Sequence, residues 1–191
     1  MNTLAILGLT LIILVIYGVG IYNRLVRQKV ATDNAWSQID VQLKRRYDLI
    51  PNLVETAKGY AKHEQETLEQ VITARNSAMA AASQGDVRGV SEAEGMLAGM
   101  LRQVFALSES YPELKANENF LQLQEELTST ENKVSFSRQH YNDSVGLFNT
   151  SIQQFPNNIV AGFTGFNARE FFELDEAELK AAQQPPSVNF N

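Results

Sequence analysis

The sequence predicts an all-α membrane protein, in which an N-terminal transmembrane helix continues into an antiparallel four-helix bundle with long first and last helices. Three observations predict this class. Residues 3–22 carry no charge, apolar residues then recur at steps of three and four, and a heptad repeat extends over about residues 115–155. We find no segment with the alternating pattern that is typical of a strand.

The transmembrane anchor is predicted for residues 1–23. The uncharged stretch forms a helix about 30 Å long, which matches the hydrocarbon core of a bilayer. A cleaved signal peptide would have a basic start and a small-residue cleavage site, and neither pattern is present here. Arg24, Arg27 and Lys29 follow the stretch, so the positive-inside rule places the N-terminus outside and the bundle in the cytoplasm. They are also candidates for contact with anionic lipid, although a topology signal alone explains them equally well.

The bundle domain is predicted for residues 24–155. Its first helix continues the anchor to about residue 62. Pro51 lies inside this helix, and we expect a kink there rather than an end because the apolar stripe stays in phase across it.

Three further helices complete the predicted bundle. The second follows a turn near residues 62–63 and ends at Gly85, and the third ends before Pro112 because the residue before a proline disfavours the α region. The fourth, about residues 116–155, carries the heptad repeat. The first and last helices would each be about 58 Å long, and up-down-up-down packing would bring the last one back to the membrane. The alternative is a three-helix arrangement with residues 24–83 as one kinked rod.

Residues 156–191 are predicted to form an aromatic loop and an acidic, proline-containing tail. The loop either closes the end of the bundle or contacts lipid or a neighbouring subunit, because several phenylalanines will not stay in water. We predict lipid contact for Phe163 and Phe166. The residues predicted to contact another subunit or a partner are Phe171, Phe172, Pro185, Pro186, Val188 and Phe190.

Composition argues against catalysis. The net charge of −6 argues against nucleic acid as a partner, and the absence of cysteine excludes thiol nucleophiles. Neither His63 nor His140 has a glutamate three residues before it, as bundle metal sites require, and no phosphate-binding or nucleophile-elbow motif is present. We therefore predict no enzyme, no cofactor and no metal.

One structural ion pair is also predicted on the last helix. Glu131 and Arg138 lie seven residues apart there, and we expect them to pair with Arg75 or Glu109.

The chain resembles the LemA family of bacterial membrane proteins from the anchor to the tail. The segments that carry the resemblance are residues 22–23 (YN), 34–36 (NAW), 40–43 (DVQL), 45–46 (RR), 49–54 (LIPNLV), 63–64 (HE), 74–75 (AR), 109–116 (ESYPELKA), 137–142 (SRQHYN), 148–156 (FNTSIQQFP), 165–166 (GF) and 185–190 (PPSVNF). The resemblance implies one membrane helix, a four-helix bundle on the cytoplasmic side of the bacterial inner membrane, and no catalytic residues. The family includes a protein of magnetosome membranes, which implies a role in membrane organisation.

Two functions fit these features. The first is a non-catalytic scaffold that forms a homo-oligomer and organises or remodels the inner membrane, with the lipid bilayer as a partner. The alternative is a regulatory adaptor that presents its bundle or tail to a membrane enzyme such as a protease.

Overall fold

The computed structural model describes residues 3–172, and within them it has six helices and no strand. The helices are α1 (Thr3–Lys58), α2 (Gln65–Gln84), α3 (Val87–Ser108), α4 (Pro112–Lys115), α5 (Glu118–Gln153) and α6 (Asn157–Thr164). The prediction of an all-α fold with long first and last helices is confirmed.

Helix α1 is continuous from Thr3 to Lys58 and passes through Pro51. The apolar N-terminal stretch therefore continues into the following residues within one helix, as predicted. Large apolar side chains between residues 6 and 20 are exposed. By length and composition, this part of α1 is able to cross a membrane. Residues 59–64 form the turn before α2, so α1 and α2 are separate helices and the three-helix alternative is wrong.

The packed residues divide into two units, and α1 and α5 contribute to both. Of the described residues, we call 3–38 with 137–171 the anchor unit, and 39–136 with Phe172 the bundle unit.

The bundle unit is a four-helix bundle built from α2, α3, and the parts of α1 and α5 that belong to it. Its α1 and α5 segments are antiparallel. Arg46 of α1 pairs with Glu131 of α5, whereas Tyr60, two residues after the end of α1, accepts a hydrogen bond from Asn117, the residue before α5. The buried heptad positions of α5 are Phe120, Leu127 and Val134, followed in the anchor unit by Tyr141 and Phe148. This row ends there, since the next heptad position, Phe155, lies beyond the end of α5 and is exposed.

One predicted helix boundary needs correction. The third helix was predicted to extend to Pro112, but α3 ends at Ser108. Pro112 instead begins the short helix α4, because proline is tolerated in the first turn of a helix.

The predicted aromatic loop is the larger error, because residues Asn157–Thr164 form helix α6. Gly162 inside this segment weakens the helix by about 1 kcal/mol but does not break it. The break comes at Gly165, whose φ of 74° is left-handed, and the N–H of Phe166 closes the turn on the carbonyl of Ala161.

Candidate functional site

In the anchor unit, α5 returns alongside α1 in an antiparallel direction. Rings of Trp36 and Tyr141 lie 5.3 Å apart, and the hydroxyl of Thr32 donates to the carbonyl of Ser144 over 3.4 Å. Nearer the exposed apolar stretch of α1, one buried cluster joins three helices: Ile21 and Leu25 of α1, Phe148 and Ile152 of α5, and Ala161 of α6. Helix α6 therefore packs at the end of the anchor.

The two sides of α6 have different environments. Ala161 is buried, and Phe166, just beyond the helix, packs with ring centroids 5.8 Å from Tyr22 and 6.1 Å from Phe148. Ile159 and Phe163 are one helical turn apart and exposed, with 88% of Phe163 accessible. We call these two residues, with the exposed Phe155 before the helix, the α6 apolar surface.

The segment after α6 forms an ion pair with α1 and hydrogen bonds with α5. The Asn149 side chain donates to the carbonyl of Arg169 and accepts from its N–H, both over 2.8 Å, while the guanidinium of Arg169 pairs with Asp33 at 2.7 Å. The hydroxyl of Tyr141 donates to the carbonyl of Glu170. Burial raises the pKa of Tyr141, so its hydroxyl stays protonated for this bond. These bonds hold the segment that follows α6 against α1 and α5.

The three basic residues predicted to contact lipid are all exposed on α1. Arg24, Arg27 and Lys29 follow Tyr22 within two helical turns, and none forms an ion pair with another described residue. Their charges are available to an external anion.

The predicted aromatic contacts separate into exposed and internal residues. Phe163 and Phe171 are exposed, whereas Phe166 is partly buried against the cluster that joins α1, α5 and α6, and Phe172 is buried. The four tail residues predicted to contact a partner, Pro185, Pro186, Val188 and Phe190, lie outside the described residues.

The bundle unit contains a buried polar network that the sequence analysis did not identify. The guanidinium of Arg46 binds Glu94 at 2.7 Å and Glu131 at 2.7 Å, and the hydroxyl of Tyr47 donates to Glu94 over 2.6 Å. Glu94 is fully buried and Arg46 is 3% exposed. Burial and the neighbouring Glu94 carboxylate both raise the pKa of Tyr47, which keeps its hydroxyl protonated as a donor.

The predicted ion pair of Glu131 is therefore wrong in its partner. Glu131 pairs with Arg46, while Arg75 donates to the backbone carbonyl of Tyr47 over 2.7 Å and Glu109 pairs with Lys115. A signal for the network was present in the sequence. Arg46 lies three residues after Leu43, in phase with the apolar stripe of α1, and a charged residue at a core position needs a buried partner.

The network links α1, α3 and α5 within the bundle unit. The guanidinium of Arg46 is paired with two carboxylates through its terminal nitrogens, whereas its Nε is buried without a hydrogen-bond partner among the described residues. The hydroxyl of Tyr47 stays protonated beside one of these carboxylates. Among residues 3–172, no three histidine or acidic side chains are grouped so that they would hold a metal ion.

Comparison with known proteins gives consistent matches. The sequence model of the LemA family matches residues 35–190. Protein LemA of Metamycoplasma hominis is 30% identical over 165 residues, covering 84% of this chain and 72% of that protein. Magnetosome protein MamQ 2 of Paramagnetospirillum magneticum is 23% identical over 175 residues, and MamQ of Magnetospirillum gryphiswaldense is 22% identical over 174. These matches cover 80% and 79% of this chain, and each covers only 64% of the magnetosome protein.

Proposed function

This chain belongs to the LemA family, and from that premise we propose that it is a non-catalytic, membrane-anchored scaffold that self-assembles and organises or remodels the bacterial inner membrane. The observation that carries the proposal is the α6 apolar surface, which the fold fixes beside the end of the anchor helix. Relatives named as magnetosome proteins support the membrane-organising part.

The position of α6 favours contact with the lipid interface. If residues 3–22 cross the bilayer, Tyr22 lies at its edge, where tyrosine is enriched in membrane proteins. Phe166 packs on Tyr22, so α6 lies at the same depth and its exposed Ile159 and Phe163 face the boundary between headgroups and acyl chains. Burying one such side chain in lipid contributes roughly 1.5–3 kcal/mol.

The basic residues beside α6 complete this membrane-facing end. Arg24, Arg27 and Lys29 would each gain about 1 kcal/mol near an anionic leaflet. Because they follow the anchor, they also favour the cytoplasmic side for the bundle unit. An anchor helix alone would hold the chain in the membrane, so a second apolar contact with a basic border fits a protein that acts on the lipid surface itself.

Lipid contact at α6 is testable with a single tryptophan. In a Trp36→Phe background, we expect the fluorescence of Phe163→Trp to be strongly quenched by brominated lipids after reconstitution into vesicles. His140→Trp is the matched control in the same unit: residue 140 is exposed beside Tyr141, which packs on Trp36, about 21 Å along α1 from Tyr22. Equal quenching at the two positions would contradict an interfacial α6.

Self-assembly is tested by the particle size of the intact chain after extraction in a mild detergent. We expect discrete particles larger than a dimer by light scattering and electron microscopy. A chain without residues 183–191 should give smaller particles if Val188 and Phe190 contact a neighbouring copy. Monomers or dimers of the intact chain would overturn the scaffold and leave the adaptor, which would then be sought by crosslinking to membrane enzymes.

A further inference from the structure

We propose that the anchor unit binds the phosphate of an anionic phospholipid in a cavity beside Lys29. The inference rests on the proposed membrane contact of α6 and names the class of lipid that this end of the chain recognises. The cavity has a volume of about 280 Å³ and lies between Lys29 of α1, Phe148 of α5 and residues 165–169, which follow α6. We call it the Lys29 cavity.

The residues that line the Lys29 cavity carry hydrogen-bond donors that the protein does not use. Lys29 is exposed and forms no ion pair or hydrogen bond with another described residue. The backbone N–H groups of Asn167 and Ala168 also have no acceptor among residues 3–172. An ammonium group and two successive backbone N–H groups are donors of the kind that bind phosphate oxygens in proteins.

The segment that carries these backbone groups is held in place. The side chain of Asn149 donates to the carbonyl of Arg169 and accepts from its N–H, both over 2.8 Å. Gly165, at the start of the segment, has a φ of 74° and no side chain that would keep a ligand away from the backbone. The donors are therefore positioned before a ligand binds, which lowers the entropic cost of binding.

The charges around the cavity match one phosphodiester group. Arg169 lines the cavity and pairs with Asp33 at 2.7 Å through one terminal nitrogen, which leaves its other N–H groups for a ligand. The two cations, Lys29 and Arg169, and the one carboxylate of Asp33 leave a net charge of +1. This charge balances the single negative charge of a headgroup such as phosphatidylglycerol. The additional ammonium of a zwitterionic headgroup would be repelled by both cations.

The cavity lies near the depth of the lipid phosphates if residues 3–22 cross the bilayer. Lys29 follows Tyr22 by seven residues, which is about 10 Å along the helix. Helical side chains lean toward the N-terminus, so the ammonium of Lys29 lies closer to the anchor than its backbone does. It therefore reaches the headgroup layer, which is roughly 5–8 Å thick on each side of the hydrocarbon core. Phe148 and Phe166, with ring centroids 6.1 Å apart, provide an apolar wall for the glycerol carbons beside the phosphate.

Native mass spectrometry of the detergent-extracted full chain tests the site. We expect the chain to retain one phosphatidylglycerol molecule, and to prefer it when phosphatidylcholine with the same acyl chains is added in equal amount. Lys29→Ala should reduce this retention about tenfold, because it removes a hydrogen bond between two charged groups. Lys29→Arg should restore it. Lys29 is exposed and has no partner among the described residues, so neither variant should change the fold.

Arg24→Ala is the matched control. Arg24 is also exposed on α1 without an ion pair among the described residues, but it lies outside the Lys29 cavity. Its loss should change retention by less than about twofold, because a charge outside the site acts only through solvent.

Two outcomes would overturn the site. Equal losses in Arg24→Ala and Lys29→Ala would mean that the basic residues attract anionic lipid only as a group. Displacement of the lipid by an equal concentration of inorganic phosphate would assign the cavity to a soluble phosphate compound. Both outcomes leave the proposed function intact. That function fails instead if residue 163 is quenched no more than residue 140, or if the particles are no larger than dimers.

Discussion

Replacing Glu94 by alanine should lower the free energy of unfolding by about 3 kcal/mol, at the lower end of the range for breaking a buried ion pair. The change leaves the buried guanidinium of Arg46 without its buried counter-ion and the hydroxyl of Tyr47 without its acceptor. The loss is not at the upper end because Arg46 keeps Glu131, which is partly exposed. Chemical denaturation followed by circular dichroism measures the effect.

The matched control for this prediction is Glu92→Ala on the same helix. Glu92 pairs with Arg88 over 3.2 Å, but both side chains are mostly exposed, so this change should cost less than about 1 kcal/mol. Equal losses in the two variants would show that Glu94 does not form the buried pair. The apolar double variant Arg46→Met with Glu94→Leu should recover only part of the stability. It removes both buried charges together but still leaves the Tyr47 hydroxyl without its acceptor.

The long helices were predictable because their signals are local. The apolar stripe of α1 and the heptad of α5 repeat over many turns, and each reports which face is buried without reference to any other helix. The buried network around Arg46 and Glu94 could not be predicted from local signals. Periodicity places Arg46 and Glu94 on buried faces, but whether those faces meet depends on the rotation of α1 and α3 in the bundle unit, which no local pattern contains.

The exposure of the C-terminal aromatic residues also could not be predicted from local sequence patterns. Phe163 and Phe166 are three residues apart and both were predicted to contact lipid, yet only Phe163 is exposed. Gly165 ends α6 between them and turns the chain, so Phe166 packs inward on Tyr22. The prediction of a loop gave too much weight to the two glycines and too little to the apolar residues between Pro156 and Gly165.

Replacing Phe148 by alanine should have the largest effect in the anchor unit, about 3–5 kcal/mol, because it removes a buried ring and leaves a cavity. Phe148 lies in the cluster that joins α1, α5 and α6, and its ring lies 6.1 Å from that of Phe166. Its loss should therefore loosen α6. We expect faster amide hydrogen exchange over residues 157–170, together with the loss of stability.

Leu147→Ala is the control for this variant, since Leu147 is the adjacent residue on α5 and is exposed. It should change stability by less than about 0.5 kcal/mol and leave exchange in α6 unchanged. Similar exchange in both variants would mean that α6 is held mainly by the bonds of Asn149 and Arg169 instead of by apolar packing. If α6 loosens only in Phe148→Ala, the core of the anchor unit is what fixes the α6 apolar surface. The lipid contact that we propose for this surface would then depend on Phe148, which is itself buried.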